Sequence, residues 1–288
     1  MEYIFHIVIL ISIYGILALA QNLAMGSTGL LTIAGAAFYG VGAYVAAILA
    51  TKLGFNIFTA LAIAPFIAGI IAIVVGATFA RFREDYFMLA TLGFLMIFNT
   101  VVRNWEALTG GAYGIAGIPK PHIFHFTFGT PFSFMWLALI FLGVVTVISY
   151  FISRSSFGRV LNAIREDEDA LAVFGYKTSS YKLIAFAIGA AFSSVAGVLF
   201  ASHLTFVDSK LFTVNESILL WAMILLGGIA RSRGALLGAA ILIVAPELLR
   251  FVGFPVELAP LLRQCMYGLL LVFLMLYRPK GILGKYKL

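Results

Sequence analysis

The sequence predicts an all-α fold class: one polytopic membrane helix bundle of about nine transmembrane helices, with a range of eight to ten. Of the 288 residues, 62% are hydrophobic and 11% are charged, and the mean hydropathy is +1.07. These values lie outside those of soluble domains. Apolar runs of roughly 17–25 residues, each long enough to cross the hydrocarbon core as a helix, follow one another with short polar breaks. The runs do not alternate as the strands of a membrane barrel do.

Nine apolar runs give the predicted spans. They lie near residues 5–23, 30–50, 57–79, 86–103, 132–152, 183–203, 216–230, 234–250 and 261–277. The seventh and eighth runs are short for a membrane span, and the glycine-rich residues 25–42 are equally compatible with a broken or re-entrant helix. The whole chain, residues 1–288, is predicted to form a single transmembrane domain.

Lys and Arg are distributed unevenly between the two predicted faces. With nine spans, 13 of the 19 basic residues fall on the face that carries residues 154–182 and the C-terminal residues. Basic residues in short loops stay in the cytoplasm, so this face is predicted to be cytoplasmic and the N-terminus external. Residues 104–131 then form an outer loop that a soluble external partner could contact. The net charge of +7 fits anchoring at the inner leaflet rather than a nucleic-acid surface.

The sequence offers no motif for enzymatic chemistry. It has no P-loop, no H-E-x-x-H and no G-x-S-x-G, and its one cysteine, Cys265, cannot form an internal disulfide. The best set for an intramembrane enzyme is Ser202, His203 and Asp208, but adjacent side chains on a helix point apart. A stand-alone ion-coupled transporter would need charge at mid-span, and almost none is present. No catalytic residue and no metal site are expected.

The charged residues 154–182 are predicted to form an amphipathic helix at the cytoplasmic face. Ser155 or Ser156 can cap its start, and Gly175 can end it in a left-handed conformation. An apolar stripe recurs at helical spacing, formed by Phe157, Leu161, Ile164, Leu171 and Phe174. Two interpretations stay open, because such a helix can lie on the membrane surface or can dock against another protein.

Few polar side chains occur within the predicted spans. Six of them are candidates for the lining of a polar path: Gln21, Asn22, Ser27, Thr28, Asn99 and Glu216. The glycines and alanines beside the first four favour close helix packing, with a broken helix that lines a cavity as the alternative. An intramembrane carboxylate is functional by default, although Glu216 and Glu247 lie near span ends, where a capping or interfacial role is also possible.

Ordered motifs over nearly the whole chain resemble one family. Residues 22–44, NLAMGSTGLLTIAGAAFYGVGAY, resemble the N-L-x-x-G-x-x-G-L-x-S-x-G-x-A-A-F-x-G-x-G-A-Y stretch of LivM-type permeases, the membrane subunits of branched-chain amino-acid ABC importers. Further matches follow in family order: REDYFMLATLGF at 83–94, LTGG at 108–111, GIP at 117–119, FGRVLNAIREDE at 157–168, LLGGI at 225–229, PELL at 246–249 and RPKGILG at 278–284. One departure is Thr-Ile-Ala at 32–34, where the family often has Ser and Gly-His.

The resemblance implies the permease subunit of an ATP-binding-cassette importer in the cell (inner) membrane. Residues 165–175 resemble the segment that couples to the ATPase, with Arg165, Glu166, Asp167, Glu168, Ala170, Ala172 and Gly175 at the coupling positions. The implied partners are a sister permease, two ATP-binding subunits and an extracytoplasmic binding protein. ATP and Mg²⁺ would bind to the partner subunits, with no cofactor in this chain. Urea and short-amide importers have similar permeases, so their substrates stay an alternative.

Overall fold

The computed structural model describes residues 2–79, 84–123, 126–250 and 265–269, together with positions 272, 276 and 281–284. Within these ranges the chain is a helix bundle. The helices are α1 (Glu2–Gln21), α2 (Gly35–Thr51), α3 (Ile57–Phe79), α4 (Glu84–Asn104), α5 (Glu106–Thr109), α6 (Pro131–Arg154), α7 (Ser156–Glu166), α8 (Glu168–Val173), α9 (Thr178–Leu204), α10 (Val214–Gly227) and α11 (Ser232–Arg250). A π-helical turn, Asn22–Gly26, continues α1, and 3₁₀ turns cover Gly111–Tyr113 and Ser209–Leu211.

Six helices in the described part of the chain are long and apolar enough to cross a membrane. They cover Glu2–Gly26, Ile57–Phe79, Asp85–Asn104, Pro131–Arg154, Thr178–Leu204 and Ser209–Gly227. The apolar helix Gly35–Thr51 is shorter. An all-α, multi-pass membrane bundle is therefore confirmed, whereas the number of nine spans is not. α11 coincides with the eighth predicted span, and most of the ninth, at 261–277, lies outside the described residues.

The long helix α9 lies in the core and packs against α1, α2 and α3. It approaches α2 closely because each helix has a glycine where the other backbone passes. A Cβ atom at Gly42 would overlap the backbone of Ser194, and one at Gly197 would overlap the backbone of Tyr39. α3 has its small buried residues at four-residue spacing: Ala60, Ala64, Ala68, Ala72 and Gly76. Packing between helices is therefore the role of these small residues.

One end of the bundle, here called the loop end, carries residues 105–123 and 126–130. Strand β1 (Ile115–Ala116) pairs antiparallel with β4 (Phe206–Val207), and β2 (His122–Ile123) pairs antiparallel with β3 (Phe126–Thr127). Ile115 lies opposite Val207, and His122 lies opposite Thr127. The Lys52 side chain donates a hydrogen bond to the Ala107 carbonyl oxygen, which ties the loop to the turn after α2.

The opposite end, here called the α7 end, collects segments that are distant in sequence. It holds the π-helical turn, α7, α8, the turn between α10 and α11, and residues 281–284. The backbone N–H groups of Ile282 and Leu283 donate to the carbonyl oxygens of Leu226 and Gly227, each at 2.9 Å. The described part of the C-terminal segment therefore lies at the same end as α7 and α8, as the distribution of basic residues predicts.

The single amphipathic helix predicted for 155–175 is wrong: it is two helices, α7 and α8. The backbone of Asp167 is extended, with φ −158° and ψ 103°, so that α7 cannot continue through it. The Asp167 carboxylate accepts a hydrogen bond from the Ala170 N–H at 2.9 Å and caps the start of α8. The predicted ends of the segment are confirmed, because Ser155 caps α7 and Gly175, at φ 86°, follows α8.

Candidate functional site

The chain between α1 and α2 is a buried break in the helical structure. α1 passes into the π-helical turn Asn22–Gly26, and residues 27–34 have no regular helix before α2 begins at Gly35. Ser27, Thr28 and Thr32 are buried in this break. The structure thus favours the broken helix for residues 25–42. A break at membrane depth is tolerated only where protein satisfies the freed backbone groups.

Side chains from distant helices supply these hydrogen bonds. The Thr32 carbonyl oxygen accepts from Gln21 Nε2 at 2.7 Å and from the Trp221 indole at 2.8 Å. The Ile33 N–H donates to the Thr91 hydroxyl at 3.0 Å, and the Ile33 carbonyl oxygen accepts from the Ser217 hydroxyl at 2.6 Å. Residues of α1, α4 and α10 therefore hold the break in one conformation.

The six predicted path residues fall into two groups. Gln21, Asn22, Ser27 and Thr28 lie together at the break, near the α7 end. Glu216, in the first turn of α10, and Asn99, in α4, lie toward the loop end. Most of their polar atoms already have partners within the bundle. Gln21 is bonded as described, Asn22 Oδ1 accepts from the Ala230 N–H at 3.0 Å, and Asn99 Nδ2 donates to the Phe212 carbonyl oxygen at 2.6 Å.

α7 is anchored to α9 by a small apolar core. Leu161 and Ile164 are buried there with Ala185, and Phe157, Val160, Leu171 and Tyr181 pack around them. Four of the five residues in the predicted apolar stripe therefore face the protein. This burial does not depend on lipid, so the part of the stripe on α7 acts as an anchor for the segment.

Polar contacts connect the predicted coupling residues to the rest of the protein. The Arg165 guanidinium donates a hydrogen bond to the Gly26 carbonyl oxygen, at the end of the π-helical turn. Glu168 forms an ion pair with Lys182 in α9. The Lys182 side chain is only 13% exposed, so water screens this ion pair less than one on the open surface. α7 and α8 are thereby connected to both the break and α9.

The end of α8 is exposed, and its sequence is apolar. The side chains of Val173 and Phe174 are 87% and 80% exposed. Gly175 N–H donates to the Ala172 carbonyl oxygen at 3.0 Å, and Tyr176 N–H donates to that of Leu171 at 3.2 Å. This is the hydrogen-bond pattern of a Schellman end, which requires a left-handed residue at the glycine. Exposed apolar side chains of this kind occur at protein–protein and membrane interaction sites.

A cavity at the loop end was not predicted from the sequence. It has a volume of about 560 Å³ and lies between α1, α10 and α11. Its polar lining includes Tyr14, Lys210, Glu216 and Glu247. The Tyr14 hydroxyl donates to Glu216 Oε1 at 3.2 Å. Of these residues, Glu216 was a predicted path residue and Glu247 was noted in the sequence as an acid near a span end. Tyr14 and Lys210 were not, because hydroxyl and lysine side chains near helix ends give no signal of a shared cavity in the sequence.

The structure does not bring Ser202, His203 and Asp208 together as an enzyme-like set. Ser202 is fully buried and its hydroxyl has no hydrogen-bond partner within the described structure. His203 instead faces His6, with Nε2 at 3.3 Å from Nδ1. Within the described residues, no group of three His, Cys, Asp or Glu side chains is placed to hold a metal ion.

Comparison with known proteins gives the family. The sequence model of the family described as "Branched-chain amino acid transport system / permease component" matches residues 3–275. The chain belongs to this family. The resemblance seen in the ordered motifs is therefore confirmed, and the protein is a permease subunit of the ATP-binding-cassette importer type, a transport subunit rather than an enzyme.

Individual relatives agree with this membership. The permease is 36% identical over 294 residues to the high-affinity branched-chain amino acid transport system permease protein LivM of Escherichia coli (strain K12), covering 94% of this chain and 68% of the relative. It is 28% identical over 237 residues to the probable branched-chain amino acid transport permease protein LivM of Methanocaldococcus jannaschii, covering 77% and 68%. It is 25% identical over 302 residues to the permease protein LivH of Salmonella typhimurium, covering 99% and 96%. No solved structure is significantly similar to the chain.

Proposed function

We propose that this permease forms, together with a sister permease, the translocation path of an importer for branched-chain, hydrophobic amino acids. The names of the LivM and LivH relatives support this substrate class and the pairing of two permeases. The chain acts as one transmembrane domain of residues 1–288, with a coupling segment at 154–182 and an outer loop at 104–131. Two ATP-binding subunits bind ATP and Mg²⁺, and an extracytoplasmic protein delivers the substrate.

The observation that carries the proposal is the exposed apolar tip of α8 on an anchored segment. Val173 and Phe174 are exposed where α8 ends, whereas Leu161 and Ile164 of α7 are buried against α9. A partner that binds Val173 and Phe174 therefore moves α7 and α9 when the partner itself moves. The ATPase subunits are the partner we propose, and the coupling positions are Arg165, Glu166, Asp167, Glu168, Ala170, Ala172 and Gly175.

Motion of the coupling segment has a direct route to the membrane interior. Arg165 contacts the end of the π-helical turn, whose Asn22 side chain accepts from the Ala230 N–H between α10 and α11. Closure of the ATPase subunits would shift α7 and α8, and the break between α1 and α2 would move with them. The chain thus supplies an element with two arrangements, and ATP hydrolysis in the partners selects between them.

The membrane orientation follows from the basic residues. The α7 end carries α7, α8 and residues 281–284. In this proposal it lies on the cytoplasmic side of the cell membrane. Residues 105–130 at the loop end face outward, where the binding protein docks. Gln21, Asn22, Ser27 and Thr28 then lie at the inner part of the path, and Asn99 and Glu216 lie at its outer part.

The first test is to tag the chain, extract it gently from its native membrane and identify by mass spectrometry the proteins that come with it. We expect a second permease and an ATP-binding subunit in a stable ratio. Recovery of the chain alone in mild detergent would contradict the proposal. Uptake by the reconstituted complex then decides the substrate: accumulation of leucine, isoleucine or valine supports the proposed class, and uptake of urea or a short amide alone would replace it.

A further inference from the structure

The cavity at the loop end has the size and position of a ligand site. Its volume of about 560 Å³ is within the range of about 300–1,000 Å³ that is typical of small-molecule sites. Residues of α1, α10 and α11 line it together with Tyr267 and Gly268, and Lys210 and Asn215 in its lining are exposed. It lies at the end of the bundle opposite α7 and α8. In the orientation proposed above, it is therefore open to a substrate that arrives from outside.

Two carboxylates line this cavity from different helices. Glu216, in the first turn of α10, accepts a hydrogen bond from the Tyr14 hydroxyl at 3.2 Å. Glu247, near the end of α11, accepts one from the Tyr3 hydroxyl. The amino terminus of α10 stabilises the negative charge of Glu216, but a carboxylate in the last turn of a helix opposes the helix dipole. Capping therefore does not explain why both carboxylates are present.

Among the described residues, the rest of the lining combines aliphatic side chains, the polar residues Thr213, Asn215 and Tyr267, and one cation, Lys210. Leu10, Leu219 and Ile243 contribute aliphatic surface from the three helices, and Lys210 contributes an ammonium group. Carboxylates at membrane depth are stabilised by a cation that approaches them. A ligand that complements these charged and aliphatic groups has a positive group for the two carboxylates, a negative group for Lys210 and an aliphatic body between the apolar side chains.

We propose that this cavity binds the transported amino acid as a zwitterion. Glu216 and Glu247 bind the α-ammonium group, Lys210 binds the α-carboxylate, and the apolar walls contact the aliphatic side chain. The inference rests on the proposed importer function and goes beyond it, because it gives the permease its own substrate site. That site selects for an amine, so the permease would add to the selectivity of the binding protein and reject neutral amides such as urea.

The test uses the complete importer in proteoliposomes with its binding protein. The probe is a leucine analogue with a photoreactive diazirine in its side chain, which keeps both the ammonium and the carboxylate group. After illumination, labelled peptides are mapped by mass spectrometry. We expect label on α1, α10 and α11 at the cavity walls. Labelling confined to other parts of the permease, such as the break between α1 and α2, would overturn the inference. This readout uses the unmodified importer and does not depend on any variant.

Uptake by variants gives the second readout. Glu216→Gln and Glu247→Gln remove one negative charge each and keep the side-chain size. Each should lower the uptake rate of leucine at saturating binding protein by about tenfold, since a hydrogen bond to a charged group is lost, and should abolish the cavity label. The matched control is Glu2→Gln, an exposed carboxylate in the first turn of α1, outside both the cavity and the outer loop, which should transport normally.

The outcomes separate this inference from the importer proposal. Normal leucine uptake in the Glu216→Gln and Glu247→Gln variants would contradict the inference and leave the importer proposal intact. Absence of leucine uptake in the unmodified complex would instead remove the proposed substrate, and the inference with it. Retention of the sister permease and the ATPase subunits by the variants shows that a loss of uptake is not a failure of assembly.

Discussion

The Arg165 guanidinium donates a hydrogen bond to the carbonyl oxygen of Gly26, which lies 139 residues earlier in the chain. Gly26 is the last residue of the π-helical turn that precedes the buried break. A carbonyl at the end of a helical segment lacks an intrahelical partner, and a cation is the favoured group to satisfy it. This one contact joins the predicted coupling segment to the part of the membrane domain that departs most from regular helix.

Replacing Arg165 with Ala should uncouple the importer. The hydrogen bond of a charged group contributes about 1.5–3 kcal/mol, and its loss frees the break from α7 while Leu161 and Ile164 still anchor α7 to α9. We expect leucine uptake to fall about tenfold or more while the ATPase subunits remain attached and continue to hydrolyse ATP. Uptake and ATP hydrolysis are measured on the same proteoliposomes.

The matched control for this change is Arg159→Ala. The Arg159 side chain is exposed, and its hydrogen bonds go to the Arg154 carbonyl oxygen and the Ser156 hydroxyl beside it. The control removes the same charge from the same helix without touching the break, and it should transport at the normal rate. Equal losses in the two variants would show that charge at the α7 end matters rather than the contact with Gly26.

Replacing Phe174 with Ser should weaken ATPase attachment. A large, exposed apolar side chain that becomes buried in an interface commonly contributes about 2 kcal/mol or more, so the affinity should fall by about 30-fold. Val173→Ser should act in the same direction with a smaller effect. The measurement is the amount of ATPase subunit that co-purifies with the tagged permease over a dilution series.

Tyr113→Ser is the control for the Phe174 variant, because Tyr113 is 91% exposed at the loop end. It should leave attachment unchanged. Unaltered attachment in Phe174→Ser, together with a salt-dependent loss in Asp169→Lys, would move the docking surface from the apolar tip to the carboxylates of α8.

The left-handed residue after α8 gives a further prediction. A Cβ at Gly175 would meet no atom within 4 Å, so the demand for glycine comes from φ 86° alone. Gly175→Val should therefore distort the end of α8 and reduce ATPase attachment, since a β-branched residue strongly disfavours this conformation. Gly175→Asn keeps a residue that tolerates left-handed backbone and should attach nearly normally. Similar attachment of the Val and Asn variants would contradict this role for the glycine.

Local signals in the sequence were sufficient for the ends of the coupling segment but not for its middle. Ser155 and Gly175 were predicted because each acts through its own backbone or a neighbour three residues away. Asp167 was missed as a break because an aspartate in a run of four acidic residues is as typical of an exposed helix face as of a cap. Only the extended backbone at this residue distinguishes the two.

The sequence indicated which polar residues lie within the predicted spans, but not which of them come into contact. Gln21 and Asn22 were singled out as polar residues beside a possible break, and the structure has a break next to them. Their hydrogen-bond partners could not be predicted, because Asn22 bonds to Ala230, which is 208 residues away in sequence. The cavity at the loop end was missed for the same reason. Tyr14 and Glu216 meet only through the packing of α1 against α10, and no periodicity within either helix reports that contact.

The close crossing of α2 and α9 gives the last prediction. Gly42→Ala places a methyl group against the Ser194 backbone, and backbone cannot rotate away as a side chain can. Overpacking of this kind costs about 1–3 kcal/mol or more, so the variant should lose stability in detergent or fail to accumulate. Gly143 in α6 meets no atom within 4 Å of an added Cβ, and Gly143→Ala should be neutral or stabilising by up to about 1 kcal/mol. Fluorescence-detected thermal unfolding of the two purified variants compares them directly. Equal stability would mean that α2 and α9 can separate at this crossing without loss of stability.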